Sequence, residues 1–149
     1  MISGKFTAYT DGACRLSNPG LCCCGYIVYC DGQIIASNAR VLEGLNTNNV
    51  SEYSGLLDLL EWAKEEQLSE LTIYSDSMLV VEQSNARWGV KPHLQKYAAQ
   101  AFQMLTEGGH TLSHVKGHNG NVGNEAVDRL LNSVLDDYQG VVRKKKRTK

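Results

Sequence analysis

The sequence predicts an α/β domain, a five-stranded mixed sheet with flanking helices in the order β-β-β-α-β-α-α-β-α. Three observations carry the prediction. The 149 residues suit one domain of ordinary size, and a composition of 42% hydrophobic and 21% charged residues with only 2 prolines excludes a disordered, collagenous or coiled-coil chain. Three β-rich runs come first. Two further short apolar runs then alternate with segments whose apolar residues recur at helical spacing, the pattern of helices packed on a sheet.

Lys5 to Thr10 has strand composition and reaches Asp11-Gly12, a turn signal, so a first strand ending near Thr10 is expected. Cys24 to Cys30 and Gln33 to Val41 flank Asp31-Gly32, a dipeptide that favours a tight hairpin because both positions tolerate positive φ. The first three strands should form an antiparallel meander. From Asn49 to about Gln67, Val50, Tyr53, Leu56, Leu57, Leu60 and Ala63 mark one face of a helix. Leu71 to Tyr74 is a short strand ending at Ser75-Asp76, and Met78 to Gln83 is helical. Leu94, Tyr97, Ala98, Ala101, Phe102 and Leu105 mark the next helix, Thr111 to Val115 the last strand, and Val122 to Leu135 the last helix. The folded domain is expected over residues 1–137, with 138–149 a basic, disordered tail.

The net charge of −1 conceals an asymmetry, because Arg143, Lys144, Lys145, Lys146, Arg147 and Lys149 close the chain while residues 1–142 carry 9 basic and 16 acidic side chains. An acidic body repels a polyanion unless bound cations or that tail invert the local field. No apolar run approaches the ~20 residues of a membrane helix, and the N-terminus has no apolar stretch of signal-peptide length. A soluble, cytoplasmic monomer is expected. The five cysteines, Cys14, Cys22, Cys23, Cys24 and Cys30, are odd in number and include three adjacent residues that a strand would point to alternating faces. Buried thiols in a reducing compartment are therefore expected, rather than a zinc site or a disulfide framework.

Four acids stand at positions where folded chains place functional side chains. Asp11 lies on the first strand, Glu52 in the first turn of the long helix, Asp76 at the end of the fourth strand, and Asp128 beside the apolar stripe of the last helix. Strands one and four can be neighbours in this order, which would bring Asp11 and Asp76 together. Clustered carboxylates that cannot neutralise one another suit hard cations such as Mg²⁺ or Mn²⁺. Each acid also has a structural alternative: Asp11-Gly12 as a turn, Glu52 as the N3 residue of a cap at Asn49, Ser75-Asp76 as a helix cap, Asp128 as a surface partner of Arg129.

The motifs resemble the type 1 ribonuclease H family over residues 6 to about 135. The matching segments are Tyr9-Thr10-Asp11-Gly12-Ala13 with Asn18-Pro19-Gly20, Thr47-Asn48-Asn49-Val50-Ser51-Glu52-Tyr53, Tyr74-Ser75-Asp76-Ser77, and His114-Val115-Lys116-Gly117-His118-Asn119-Gly120 followed by Asn124-Glu125 and Asp128. The resemblance implies a ribonuclease H-like fold and an endonuclease that cuts the RNA strand of RNA–DNA hybrids, leaving 5′-phosphate and 3′-hydroxyl ends. It implies that Asp11, Glu52, Asp76 and Asp128 hold two Mg²⁺ ions, with Mn²⁺ as a substitute, and that no organic cofactor is used. His118, ten residues before Asp128 in a glycine-rich loop, matches the family's mobile histidine, which shuttles a proton or assists product release.

Substrate contacts follow from the same resemblance. Asn18, Asn48 and Asn49 would read base edges and 2′-hydroxyls in the minor groove of the hybrid, and Thr47 would bind a DNA-strand phosphate. Trp88 would line the DNA-strand channel, and Arg15 and Lys116 would lie along the substrate path. The chain departs from the family at Leu21-Cys22-Cys23-Cys24, where relatives are usually glycine-rich, at Leu16, which resembles an insertion, and at Met78, where many relatives are polar. It has the compact form, with neither a basic helical protrusion nor an N-terminal hybrid-binding domain. The alternative is a catalytically inactive nucleic-acid-binding module of the same fold, although such a module would be expected to have lost an acid.

Overall fold

The computed structural model describes residues 5–15, 17–117 and 121–140. Within them the chain forms β1 (Phe6–Arg15), β2 (Leu21–Cys30), β3 (Gln33–Val41), α1 (Asn48–Glu65), β4 (Thr72–Ser75), α2 (Met78–Ser84), α3 (Pro92–Gly108), β5 (Thr111–His114) and α4 (Val122–Gln139). The element order is the one expected. The sheet runs β3-β2-β1-β4-β5, antiparallel across β3, β2 and β1 and parallel from β1 to β4 and β5. Asp31 (φ 50°) and Gly32 (φ 86°) make the β2–β3 turn as their positive φ values require.

The two faces of the sheet are filled differently. Phe6, Ala8, Val28 and Ile73 pack against α1 and α3 through Leu56, Leu59, Leu60, Leu94 and Ala101. The opposite face carries α4, whose Leu131 and Leu135 meet Cys23, Ala13, Ala39 and Val41. Each fully buried leucine contributes about 1.5–3 kcal/mol relative to exposure, so these stripes fix the helices to the sheet. Among the described residues no helix is long and apolar enough to cross a membrane.

Three expectations are corrected. Asp11-Gly12 is not a turn: β1 continues to Arg15, paired from Gly12↔Cys24 to Arg15↔Leu21. Gly12 is required there by close approach, since a Cβ would lie 2.4 Å from the backbone nitrogen of Glu52. Second, the longer β1 places Cys14 directly opposite Cys22, Cα atoms 4.0 Å apart, and the two form a disulfide rather than free thiols. A strand ending at Thr10 hides that pairing from the sequence. Cys23 and Cys24 are buried thiols, on opposite faces as expected, each pushed up to about 12 mainly by desolvation. Third, α4 runs on to Gln139, so Tyr138 and Gln139 are helical; residues 141–149 lie outside the described residues.

Candidate active site

The parallel pairing of β1 with β4 ends at Thr10 and Ser75, which places the residues that follow them, Asp11 and Asp76, side by side where the two strands part. The N-terminal turns of α1 close on the same point because Gly12 offers no side chain to hold them off. As a result one carboxylate oxygen from each of Asp11, Glu52 and Asp76 lies within 4.8 Å of the others. Asp128, from α4 on the opposite face, lies outside that trio but near enough to Asp11 for its charge to raise the Asp11 carboxyl.

The structural alternatives for these acids fail one by one. The cap of α1 is Thr47, whose Oγ1 accepts the N–H of Val50 at 3.2 Å, so Glu52 is two positions past the place where a capping-box glutamate acts. Ser77, not Asp76, caps α2, its Oγ accepting the N–H of Val80 at 3.2 Å. Asp11 is mid-strand. Among the described residues Asp128 makes no ion pair with Arg129, its adjacent residue on the helix, and instead receives Asn132 Nδ2 on its backbone carbonyl at 3.1 Å.

Electrostatics sets these carboxylates apart from surface acids. Burial pushes the Asp11 carboxyl up to about 8, and the neighbouring charges of Asp76 and Asp128 add to the shift, while the Gly12 N–H, 2.9 Å from Oδ1, opposes it. Glu52 is also raised, first by burial and then by Asp11 and Asp76. Glu52 Oε1 is buried and has no hydrogen-bond donor among the described residues. An orphaned carboxylate oxygen facing two like charges is costly in a protein interior, and an oxygen-only donor set with both deficits relieved by positive charge fits a hard divalent cation.

The expected substrate residues separate into groups. Asn18, Thr47, Asn48 and Asn49 come together, because Asn18 Oδ1 accepts the N–H of Asn48 at 3.0 Å and a backbone bridge joins Gly20 to Asn46. Trp88 sits 49% exposed in the turn between α2 and α3. Lys116 is exposed after β5, next to Gly117, where a Cβ would lie 2.9 Å from Asp76 Oδ2. Arg15 faces α4 instead: Nη1 donates to Asp136 at 2.6 Å and Gln139 at 3.0 Å, and Nη2 donates to Asn132 Oδ1 at 2.9 Å. It braces the end of β1 against α4. His118 lies outside the described residues. The sequence reading missed Gly12 and Gly117, whose lack of a side chain lets α1 and the loop after β5 reach the acids; a glycine in a turn-like dipeptide gives no sign of such contacts.

Comparison with known proteins agrees with this fold. The RNase H family model matches residues 3–135. Ribonuclease HI of Halobacterium salinarum is 34% identical over 137 residues, covering 90% of this chain and 66% of that protein. The crystal structure of RNase H1 from this archaeon superposes with a TM-score of 0.79, covering 90% of this chain and 99% of the solved one. The bifunctional protein Rv2228c of Mycobacterium tuberculosis is 36% identical over 105 residues, and the chain spans 29% of its length. LC11-RNase H1, solved in complex with an RNA/DNA hybrid, superposes with a TM-score of 0.78 at 27% identity, covering 91% of this chain and 99% of that one. With the family's pattern matched over most of its length, on the sheet order and helices described above, this chain belongs to the RNase H family.

Proposed function

We propose that the protein is a divalent-metal-dependent endonuclease that hydrolyses the RNA strand of RNA–DNA hybrids, leaving 5′-phosphate and 3′-hydroxyl ends. The observation that carries this reading is the convergence of Asp11, Glu52 and Asp76 within 4.8 Å, with Asp128 adjoining, after each structural role open to those residues has been eliminated. Asp11, Glu52, Asp76 and Asp128 would hold two Mg²⁺ ions, which supply activation of the attacking water and stabilise charge on the leaving oxygen. Asp11 has to give up the proton that burial favours before it can act as a ligand. The Gly12 N–H then fixes Oδ1, and Glu52 Oε1 remains free to bind.

Around the acids, Asn18, Asn48 and Asn49 contact the minor groove of the hybrid and Thr47 a DNA-strand phosphate. Their grouping at the N-terminus of α1, whose partial positive charge favours anions, supports that assignment. Trp88 borders the DNA strand, Lys116 contacts a phosphate beside Asp76, and His118 shuttles a proton during turnover. Arg15 acts through α4 rather than on the substrate.

The test is a substrate panel: one RNA–DNA hybrid, one RNA duplex and one DNA duplex, each with the RNA or one DNA strand end-labelled, incubated with protein and Mg²⁺. Cleavage confined to the RNA strand of the hybrid is expected. Binding of the hybrid without cleavage in either Mg²⁺ or Mn²⁺ would establish the inactive-module alternative instead.

A further inference from the structure

We infer that Gln83 is a positioning residue that ties the substrate-facing turn carrying Trp88 to the helix carrying Glu52. Gln83 is a buried polar side chain near the end of α2, only 5% exposed, and both ends of its carboxamide are used. Its Oε1 accepts the hydroxyl of Tyr53, the residue after Glu52 in α1, at 2.7 Å, and its Nε2 donates to the backbone carbonyl of Gly89, the residue after Trp88, at 3.1 Å. One side chain therefore spans from the metal-site helix to the Trp88 turn.

The turn itself has the form of a held platform. After α2 the chain reverses through Ala86, in the left-handed region at φ 60°, and the N–H groups of Arg87 and Trp88 both donate to the Glu82 carbonyl, at 2.8 and 3.3 Å. Asn85 Nδ2 donates to Val81 and across to Leu112 of β5. The Trp88 indole meanwhile packs over an open pocket of about 450 Å³ that it lines with Val90, Ala98 and Phe102, so its own apolar contacts leave it room to shift. The Tyr53–Gln83–Gly89 chain adds a direct hydrogen-bonded tie between the turn and α1. Tyr53 is fully buried and stacked on Tyr97 of α3, centroids 5.9 Å apart, which gives the chain a rigid origin. A buried amide with both ends paired is costly to cut on one side only, so the link is maintained in the native state.

This role rests on the reading that the hybrid passes Trp88, and the experiment separates the two. With Trp62→Phe, Trp88 becomes the only tryptophan of the chain, and its fluorescence anisotropy reports how firmly the turn is held. In that background Gln83→Met, similar in volume but without hydrogen bonds, and Tyr53→Phe, which cuts only the α1 end, should each lower the anisotropy of the free protein. Gln83→Met should also raise KM for a hybrid about fivefold or more, the smallest loss expected for a displaced aromatic contact to nucleic acid, with kcat within about twofold. Unchanged anisotropy in both variants overturns the inference. Trp88→Ala is the control: if it leaves KM unaltered, the assignment of Trp88 to the substrate fails, while the anisotropy still decides whether Gln83 holds the turn.

Discussion

Asp11→Asn offers the sharpest test of the electrostatics, because it should stabilise the metal-free protein. Asparagine keeps the Oδ1 that accepts the Gly12 N–H at 2.9 Å and removes only the ionisable proton site. In the native state burial and the charges of Asp76 and Asp128 lift the Asp11 carboxyl from 3.8 to about 8. Between those values the folded chain holds a proton that the unfolded chain releases, so native stability falls as pH rises through this window, and the loss is complete above the folded value. At about 1.4 kcal/mol per unit the ceiling is about 6 kcal/mol for Asp11 alone. At roughly 2–4 °C per kcal/mol for a domain of this size, Asp11→Asn should raise Tm by at least ~5 °C at pH 8 in EDTA and by little at pH 5. The assay is thermal denaturation followed by circular dichroism at both pH values. Mg²⁺ should raise the wild-type Tm at pH 8 and leave the variant nearly unmoved. Parallel pH profiles for the two proteins, or a variant less stable than wild type at pH 8, would refute the reasoning.

Gly12→Ala should destabilise the fold by about 1–3 kcal/mol and depress hybrid cleavage, because its Cβ would lie 2.4 Å from the Glu52 nitrogen in a well-packed contact; urea denaturation and an activity assay check both. His118→Ala should lower kcat by roughly 100-fold or less, as proton transfer is partly replaced by water, and steady-state kinetics that show complete loss would contradict a proton-shuttle role. Truncation after Val142 should raise KM and make the salt dependence of binding shallower with kcat nearly unchanged, since each phosphate neutralised by the six basic residues of 143–149 contributes close to one unit of slope. A truncated enzyme with unaltered KM at low salt would leave the tail without a substrate role.

Much of the architecture was legible because its signals are local. The Asp31-Gly32 turn, the 3.6-residue period of Val50 to Ala63 and the apolar run at Leu71 each report their own element, and the order of elements makes β1 and β4 neighbours. The acids could be singled out for the same reason: the end of the strand before Asp76 and the helix that carries Glu52 follow from periodicity. What the sequence hid depends on contacts between distant segments. Asp11-Gly12 carries turn chemistry, yet pairing with Gly25 and Cys24 continues the strand, and the glycine serves the approach of α1. The Cys14–Cys22 disulfide follows from that continuation and was invisible without it. Arg15 was expected at the substrate, and only the placement of Asn132, Asp136 and Gln139 on one face of α4 reveals its other partners. Gln83 in an ordinary helical stretch has no sequence signature at all, because its role lies in the two backbone and side-chain groups it joins.

The central claim is that the acid cluster performs the chemistry, and cleavage of an end-labelled hybrid by Asp76→Asn in saturating Mg²⁺ tests it most directly. Asp76 directly follows β4 without capping α2 and contributes a carboxylate oxygen to the cluster, so its neutral replacement should leave circular dichroism intact and Tm in EDTA no lower than wild type while turnover falls by orders of magnitude. A folded Asp76→Asn protein that cuts the RNA strand at close to the wild-type rate would contradict the account.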